Sequence, residues 1–290
     1  MRVLVAGAGG LVGQALSHYC VARGDTVFGY DHQTLDISNS ELVNASIDER
    51  RPDVVINCAA WTDVDGCEFD HDRAVAANSA GPENLAMASR EAGAGLITIS
   101  TDFVFDGAKE GFYTQRDDPN PESFYGVSKL DGERRAQQAF ARTIVVRTGF
   151  IFGCGGRNFL STVVERAARG ERLKTISDAW GTPTYAPHLA ARLRELAERD
   201  LPGIFHVVNS GDGASYEQFT RAALGAAGYD QTNLETVTMS SLNRPAPRPT
   251  NSRLKCLLSE AIGLAPLPLW HDALSDFIAS KKRTETAAQS

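Results

Sequence analysis

Val3-Leu4-Val5-Ala6-Gly7-Ala8-Gly9-Gly10-Leu11-Val12-Gly13 lies at the head of the chain. Four apolar residues in a row suit a strand buried on both faces. The glycines that follow suit a tight turn into a helix beginning at Leu11. Gly7, Gly10 and Gly13 stand in G-x-x-G-x-x-G spacing. Glycine lets the backbone turn sharply and approach a pyrophosphate, whose charge is favoured at a helix N-terminus. The stretch predicts the first βα unit of a dinucleotide-binding sheet.

The alternation continues outward from it. Residues 26–30, 54–57, 96–100 and 144–147 read as further strands, apolar almost throughout. Residues 11–23, 40–50, 73–92 and 126–141 read as helices. Strand–helix alternation implies parallel βαβ units, hence an α/β fold with a Rossmann-type doubly wound sheet. After Arg147 the pattern loosens. Helices are expected at 159–169, 187–199 and 215–228, and strands at 173–176 and 204–209. Residues 244–249 hold three prolines and must be extended. The expected organisation is a dinucleotide-binding domain of residues 1–150 plus 185–213. A smaller α/β substrate lobe takes 151–184 plus 214–282, and 283–290 form a disordered tail.

Composition narrows the functional classes. Of 290 residues, 42% are apolar and 22% charged, as in a soluble globular protein. The net charge of -7 argues against nucleic acid or an acidic membrane surface as partner. Met1-Arg2 leads into an apolar run too short for a signal core, and no segment reaches the length of a membrane span. Five cysteines, at 20, 58, 67, 154 and 256, form no C-x-x-C and no zinc spacing, which points to reduced, buried thiols in a cytoplasmic protein.

Asp31 ends the second predicted strand. An acid there suits a ribose 2′-hydroxyl and repels a 2′-phosphate, although alone it could be a solvated loop carboxylate. With the glycine loop before it, a dinucleotide site is favoured. His32 follows rather than arginine, which favours NADH over NADPH. Asp36-Ile37 could hold the adenine; Asp36 could equally cap the helix beginning near Ser40.

Phe124-Tyr125-Gly126-Val127-Ser128-Lys129 places a tyrosine and a lysine one helical turn apart, side by side on a helix. A nearby ammonium favours the ionised phenol, so the pair reads as a tuned acid. Thr101, in Ser100-Thr101-Asp102, ends the fourth strand, where a parallel sheet faces its ligand crevice. The expected roles are specific. Tyr125 donates a proton to a ketone oxygen, Thr101 hydrogen-bonds that oxygen, and Lys129 lowers the tyrosine and holds the nicotinamide ribose.

These residues resemble the extended short-chain dehydrogenase/reductases, and within them the dTDP-4-dehydrorhamnose reductase family. The resemblance covers nearly the whole chain. It rests on the Gly7–Gly13 loop, Asn57-Cys58-Ala59-Ala60-Trp61-Thr62-Asp63-Val64-Asp65 and Ser100-Thr101-Asp102-Phe103-Val104-Phe105-Asp106-Gly107. Tyr125–Lys129 with Gly132-Glu133, Arg147-Thr148, Gly181-Thr182-Pro183-Thr184 and Arg248-Pro249-Thr250-Asn251-Ser252-Arg253-Leu254 complete it. The resemblance implies that Gly10, Leu11 and Val12 contact the pyrophosphate, and that Asp31, Asp36 and Ile37 face the adenosine half. Ala60, Trp61, Thr62 and Ile99 would line the cofactor crevice, with Tyr125 and Lys129 at its nicotinamide end. Thr101, Asp102 and Phe150 would touch the sugar of a nucleotide-sugar substrate, a dTDP-4-keto-6-deoxyhexose. Trp61 also reads as an aromatic packing the crevice edge, and Asn78 as a brace for neighbouring backbone. Arg248 and Arg253 could bind the diphosphate or be ordinary surface charges. No metal is implied, because Ala15 stands where some members carry a carboxylate; a homodimer is compatible.

The sequence departs from the family at Phe103, Gly149 and Phe150, where a tyrosine, a serine and a tryptophan are usual. This keeps a reductase making another 6-deoxyhexose as an alternative. A non-catalytic dinucleotide-binding regulatory subunit is the other; the intact Thr101, Tyr125 and Lys129 count against it.

Overall fold

The computed structural model describes residues 1–156 and 158–289, without the side chains at 282 and 284–289. Its first half runs β1 (Arg2–Ala6), α1 (Leu11–Ala22), β2 (Thr26–Tyr30), α2 (Ser40–Arg50), β3 (Val54–Asn57), α3 (His71–Val75), α4 (Gly81–Ala92), β4 (Gly95–Thr101), α5 (Phe124–Ala139) and β5 (Thr143–Thr148). The second half has β6 (Ile151–Phe152), α6 (Phe159–Ala168), β7 (Leu173–Ile176), β8 (Trp180–Gly181), β9 (Thr184–Tyr185), α7 (Ala186–Arg199), β10 (Gly203–His206), β11 (Ala214–Ser215), α8 (Tyr216–Ala227), β12 (Leu234–Val237), α9 (Leu257–Ala261) and α10 (Trp270–Gln289). None of the described helices is long and apolar enough to cross a membrane.

Six strands form one parallel sheet in the order β2-β1-β3-β4-β5-β10. The period of two, with helices packed on both faces, explains why its strands are apolar almost throughout. Val3 and Val5 of β1 pack with Leu16 of α1 and Leu189 and Leu193 of α7 on one face. Leu4 and Ala6 pack with Val43 and Ile47 of α2 and Leu85 of α4 on the other. The chain leaves β1 towards β2 on one side and returns to β3 on the other. That reversal opens a crevice beyond the carboxyl ends of β1 and β3.

A separate core forms where Phe152, Leu160, Phe219, Trp270 and Phe277 meet. Burying each such side chain contributes roughly 1.5–3 kcal/mol. Ser215 and Gln218 form a capping box at the start of α8, which fixes the entry of that helix into this core. Residues 250–254 then run back across the molecule. The Ser252 N–H donates to the Trp180 carbonyl at 2.8 Å, and Tyr113 pairs with Leu254.

Four expectations need correcting. The helix expected over 73–92 is interrupted by a π-helical turn, Ala76–Ala80. A Cβ on Gly132 of α5 would lie 2.0 Å from the Asn78 carbonyl, so the turn bulges against α5 at this contact. The strand expected over 204–209 ends at His206, because Asn209 turns to accept the Tyr185 N–H at 2.8 Å. The polar tail expected to fray, with 283–290 disordered, instead continues α10 to Gln289. Its Lys, Arg, Glu, Gln and Ala are good helix formers, and Leu274, Phe277 and Ile278 anchor the preceding turns; Ser290 lies outside the described residues. Lastly, the five cysteines are free as expected, but Cys154 is exposed rather than buried.

Candidate active site

The glycine loop is shaped by close approach of backbone to backbone. Gly7 has φ +78, and a Cβ there would sit 2.6 Å from the Ala59 nitrogen. A Cβ on Gly13 would sit 2.1 Å from the Gly7 carbonyl oxygen. Both positions therefore exclude any side chain, and the β1–α1 turn lies directly against the segment after β3. Gly10 is the N-cap of α1 and offers no side chain to its first turn. The leading N–H groups of a helix have no intrahelical partner; at Leu11 and Val12 they are suited to an anion. This backbone cradle at a dipole's positive end fits a dinucleotide pyrophosphate.

Asp31 ends β2 beside the loop: a Cβ on Gly9 would lie 3.3 Å from its Cβ. Its Oδ1 accepts from the Thr34 hydroxyl at 2.9 Å and from the Gln33 and Thr34 N–H groups at 3.0 Å. These bonds, the Thr34 hydroxyl foremost, hold the carboxyl below its ordinary range. Asp36 does not cap α2. Its Oδ1 accepts from Ser38 instead, and Asn39 supplies the cap through Glu41 and Leu42 N–H. The Ile37 side chain is packed inside the protein. It is buried beneath α4, where a Cβ on Gly81 would meet its Cδ1 at 2.5 Å.

Ala60, Trp61 and Thr62 follow β3. Asn78 Oδ1 accepts the Trp61 N–H at 2.9 Å, and Asn78 Nδ2 donates to the Trp61 carbonyl at 3.1 Å. The bracing role expected of Asn78 thus falls on the peptide that leads into the crevice. The Trp61 ring lies under the Arg73 guanidinium, 4.5 Å from its centroid.

Tyr125 and Lys129 stand on the first turns of α5, whose N-cap Ser123 accepts from Gly126 N–H. Lys129 Nζ donates to the carbonyl of Ile99 in β4 at 2.8 Å. The lysine is only 4% exposed. Burial pulls it down to about 8, against an opposing pull from Glu133. Glu133 is itself committed to Arg147 of β5 through bonds of 2.7–3.2 Å, with both groups buried. Burial pushes the Tyr125 phenol above its ordinary value; a hydrogen bond with Thr101 opposes this and Asp102 adds to it. Burial dominates the phenol, and one Lys129 N–H is directed to the Ile99 carbonyl. Thr101, at the carboxyl end of β4, is the direct neighbour of the phenol.

Asp102 lies 3% exposed beside them. Its Oδ1 accepts the Thr101 hydroxyl at 3.1 Å and its Oδ2 accepts the Ser252 hydroxyl. Phe150 is held at φ +46, and a Cβ on Gly181 would lie 2.4 Å from its ring. Its face meets Tyr216 of α8, with centroids 4.3 Å apart. Sequence reasoning missed Tyr216 altogether. Burial raises this phenol, Asp102 adds to the rise and Arg248 opposes it, which places it at the same crevice. Its only sequence signal was the capping box that positions it.

The two arginines do not converge. Arg248 Nη1 pairs with Asp65 at 2.9 Å, and Arg244 and the Ala246 N–H share that carboxylate. Arg253 Nε donates to Asn251 Oδ1 at 2.8 Å, with its guanidinium near the Phe112 and Trp180 rings. Asp65 is thus shared by two guanidiniums, so this cluster keeps a net positive charge.

The family described as "RmlD substrate binding domain" matches residues 1–283. A dTDP-4-dehydrorhamnose reductase of Mycolicibacterium smegmatis is 36% identical over 96% of this chain and 85% of its own. The chain belongs to the dTDP-4-dehydrorhamnose reductase family. A solved family member from Clostridium acetobutylicum superposes with a TM-score of 0.93 at 34% identity, covering 97% of this chain and 100% of that one. Another, from Bacillus anthracis in complex with NADP, gives 0.93 at 31% identity, with 96% and 99% covered. Family membership implies a nicotinamide dinucleotide cofactor.

Proposed function

We propose that this protein reduces the 4-keto group of a dTDP-4-keto-6-deoxyhexose, converting dTDP-4-dehydro-L-rhamnose to dTDP-L-rhamnose with NADH. The observation that carries the reading is the convergence of Tyr125, Thr101 and Asp102 at the carboxyl end of β4, beside a backbone cradle that excludes side chains. The division of labour follows: residues 1–150 plus 185–213 hold the cofactor, and 151–184 plus 214–282 enclose the sugar nucleotide. Asp31 beside the loop, followed by no arginine, favours NADH.

Gly10, Leu11 and Val12 hold the pyrophosphate, and Asp31 accepts from the ribose. Ala60, Trp61, Thr62 and Ile99 wall the crevice. When bound, the nicotinamide supplies the hydride. Tyr125 gives its proton to the ketone oxygen, and Thr101 donates a hydrogen bond to that oxygen as charge develops on it. With its value near 8, Lys129 is a cation at neutral pH; it stabilises the phenolate left on Tyr125 and reaches the ribose with its remaining N–H groups. Phe150 and Tyr216 form an aromatic wall beside Asp102 that excludes water from the sugar.

The test is direct. Purified protein is mixed with NADH and dTDP-4-dehydro-L-rhamnose, loss of NADH absorbance is followed, and the product is identified by NMR. Stoichiometric oxidation with formation of dTDP-L-rhamnose is expected. NADH binding with no oxidation by this or any other dTDP-4-keto sugar overturns the reading.

A further inference from the structure

The Thr101 hydroxyl has one proton, and in this structure it is given to Asp102. An ionised carboxylate can only accept. Here it takes the Thr101 hydroxyl on Oδ1 and the Ser252 hydroxyl on Oδ2. Thr101 is left as an acceptor, for the Phe103 N–H at 3.2 Å. In this arrangement neither hydroxyl proton points at a substrate. Gly149 makes the arrangement possible, since a Cβ there would stand 2.4 Å from Asp102 Oδ2.

We propose that Asp102, held by Ser252, is a positioning residue that sets which way the Thr101 proton points. Ionised, Asp102 draws that proton away from the substrate ketone. Protonated, it becomes a donor itself, and Thr101 is released to donate to the ketone oxygen alongside Tyr125. Ser252 acts through Asp102 by stabilising the ionised, disarmed form. No covalent bond changes in this step; one proton is taken up from solvent by Asp102. The inference rests on the ketoreductase reading above.

The surroundings support it. Facing the carboxylate are the Ser252 and Thr101 hydroxyls, its own and the Phe103 N–H, and the phenols of Tyr125 and Tyr216. Among the described residues no Arg, Lys or His pairs with it. Burial therefore prevails over the hydrogen bonds and pushes Asp102 up to about 6. A sugar closing over it removes further water and favours proton uptake more strongly.

The experiment is the pH profile of the reduction with saturating NADH, from about pH 5 to about pH 8. In the wild type, kcat/KM is expected to fall by about 100-fold as pH rises through a limb near 6, the cost of one lost donor to an oxyanion. Because kcat reports the substrate complex, its limb lies at higher pH. Ser252→Ala moves the kcat/KM limb to higher pH, and Asp102→Asn abolishes it. A wild-type profile without this limb, a limb that survives in Asp102→Asn, or one that Ser252→Ala leaves in place overturns the proposal. Infrared difference spectra on acidification give a second reading: a carboxylic C=O band that disappears in Asp102→Asn is expected. If no keto sugar is turned over, the ketoreductase reading fails by itself; absence of that band overturns the proposal for Asp102.

Discussion

A methyl group at Gly7 would need the space already filled by the Ala59 amide, in a backbone conformation that L residues rarely adopt. Gly7→Ala is expected to cost about 1–3 kcal/mol in urea unfolding and to weaken NADH binding in titration calorimetry. Unchanged stability together with unchanged affinity would remove the cradle from the argument. Tyr125 makes the opposite prediction. Tyr125→Phe keeps the buried ring and loses only the proton, so NADH affinity should hold within about twofold while turnover falls about 100-fold or more. Steady-state rates near those of the wild type would sink the acid role of Tyr125. That the tyrosine and threonine meet could be read from residue type and order. That Lys129 spends a donor on Ile99, and that Asp102 joins Thr101 beside the phenol, could not, because the sequence does not state which strand carbonyl faces α5.

Between elements, the Glu133–Arg147 pair ties α5 to β5 beneath the site. Removing one partner leaves a buried charge uncompensated, so Glu133→Ala should cost about 3–5 kcal/mol. Glu133→Leu combined with Arg147→Met should cost far less. Equal losses for the single and double changes, measured by urea denaturation, would show that packing rather than charge holds the contact. His206 at the end of β10 gives a pH signature. Its Nδ1 lies between the Tyr113 and Lys255 carbonyls, and burial pulls it down to about 4. The unfolded chain takes up a proton that the folded one refuses. Stability is therefore full above the ordinary histidine value of about 6.5 and is lost by up to about 3 kcal/mol as pH falls towards 4. Asp102, raised rather than lowered, contributes with the opposite sign in both proteins. The comparison that isolates the histidine is wild type against His206→Phe, and the variant should lose less stability on acidification. The strands and helices of the sheet were legible because strands buried on both faces leave uninterrupted apolar runs. The π-helical turn at Ala76–Ala80 was not, since it arises where Gly132 lets α5 approach Asn78.

Across the whole molecule, Asp65 after β3 and the Arg244–Arg248 segment are joined by an ion-pair cluster. The contact is partly exposed, so its stability contribution is on the order of 1 kcal/mol. Its value lies in holding the C-terminal segment that carries Ser252. Asp65→Asn should lower the melting midpoint by no more than about 4 °C, yet raise KM for the sugar nucleotide with little change in KM for NADH. Equal shifts in both constants would mean that the clamp does not organise the substrate side.

The order glycine loop, Thr101, Tyr125, Lys129 determined the fold class and the chemistry, because βαβ topology carries strand ends to one crevice whatever the loops between them do. The Arg248–Leu254 motif also marked the family, but left its arginines open between diphosphate ligands and ordinary surface charges. Only the tertiary structure put Arg248 on Asp65 and Ser252 on Asp102. Such partners come from residues 150 or more positions apart. Hydrogen bonds and ion pairs over that distance depend on where the chain returns, which local propensity and periodicity do not encode.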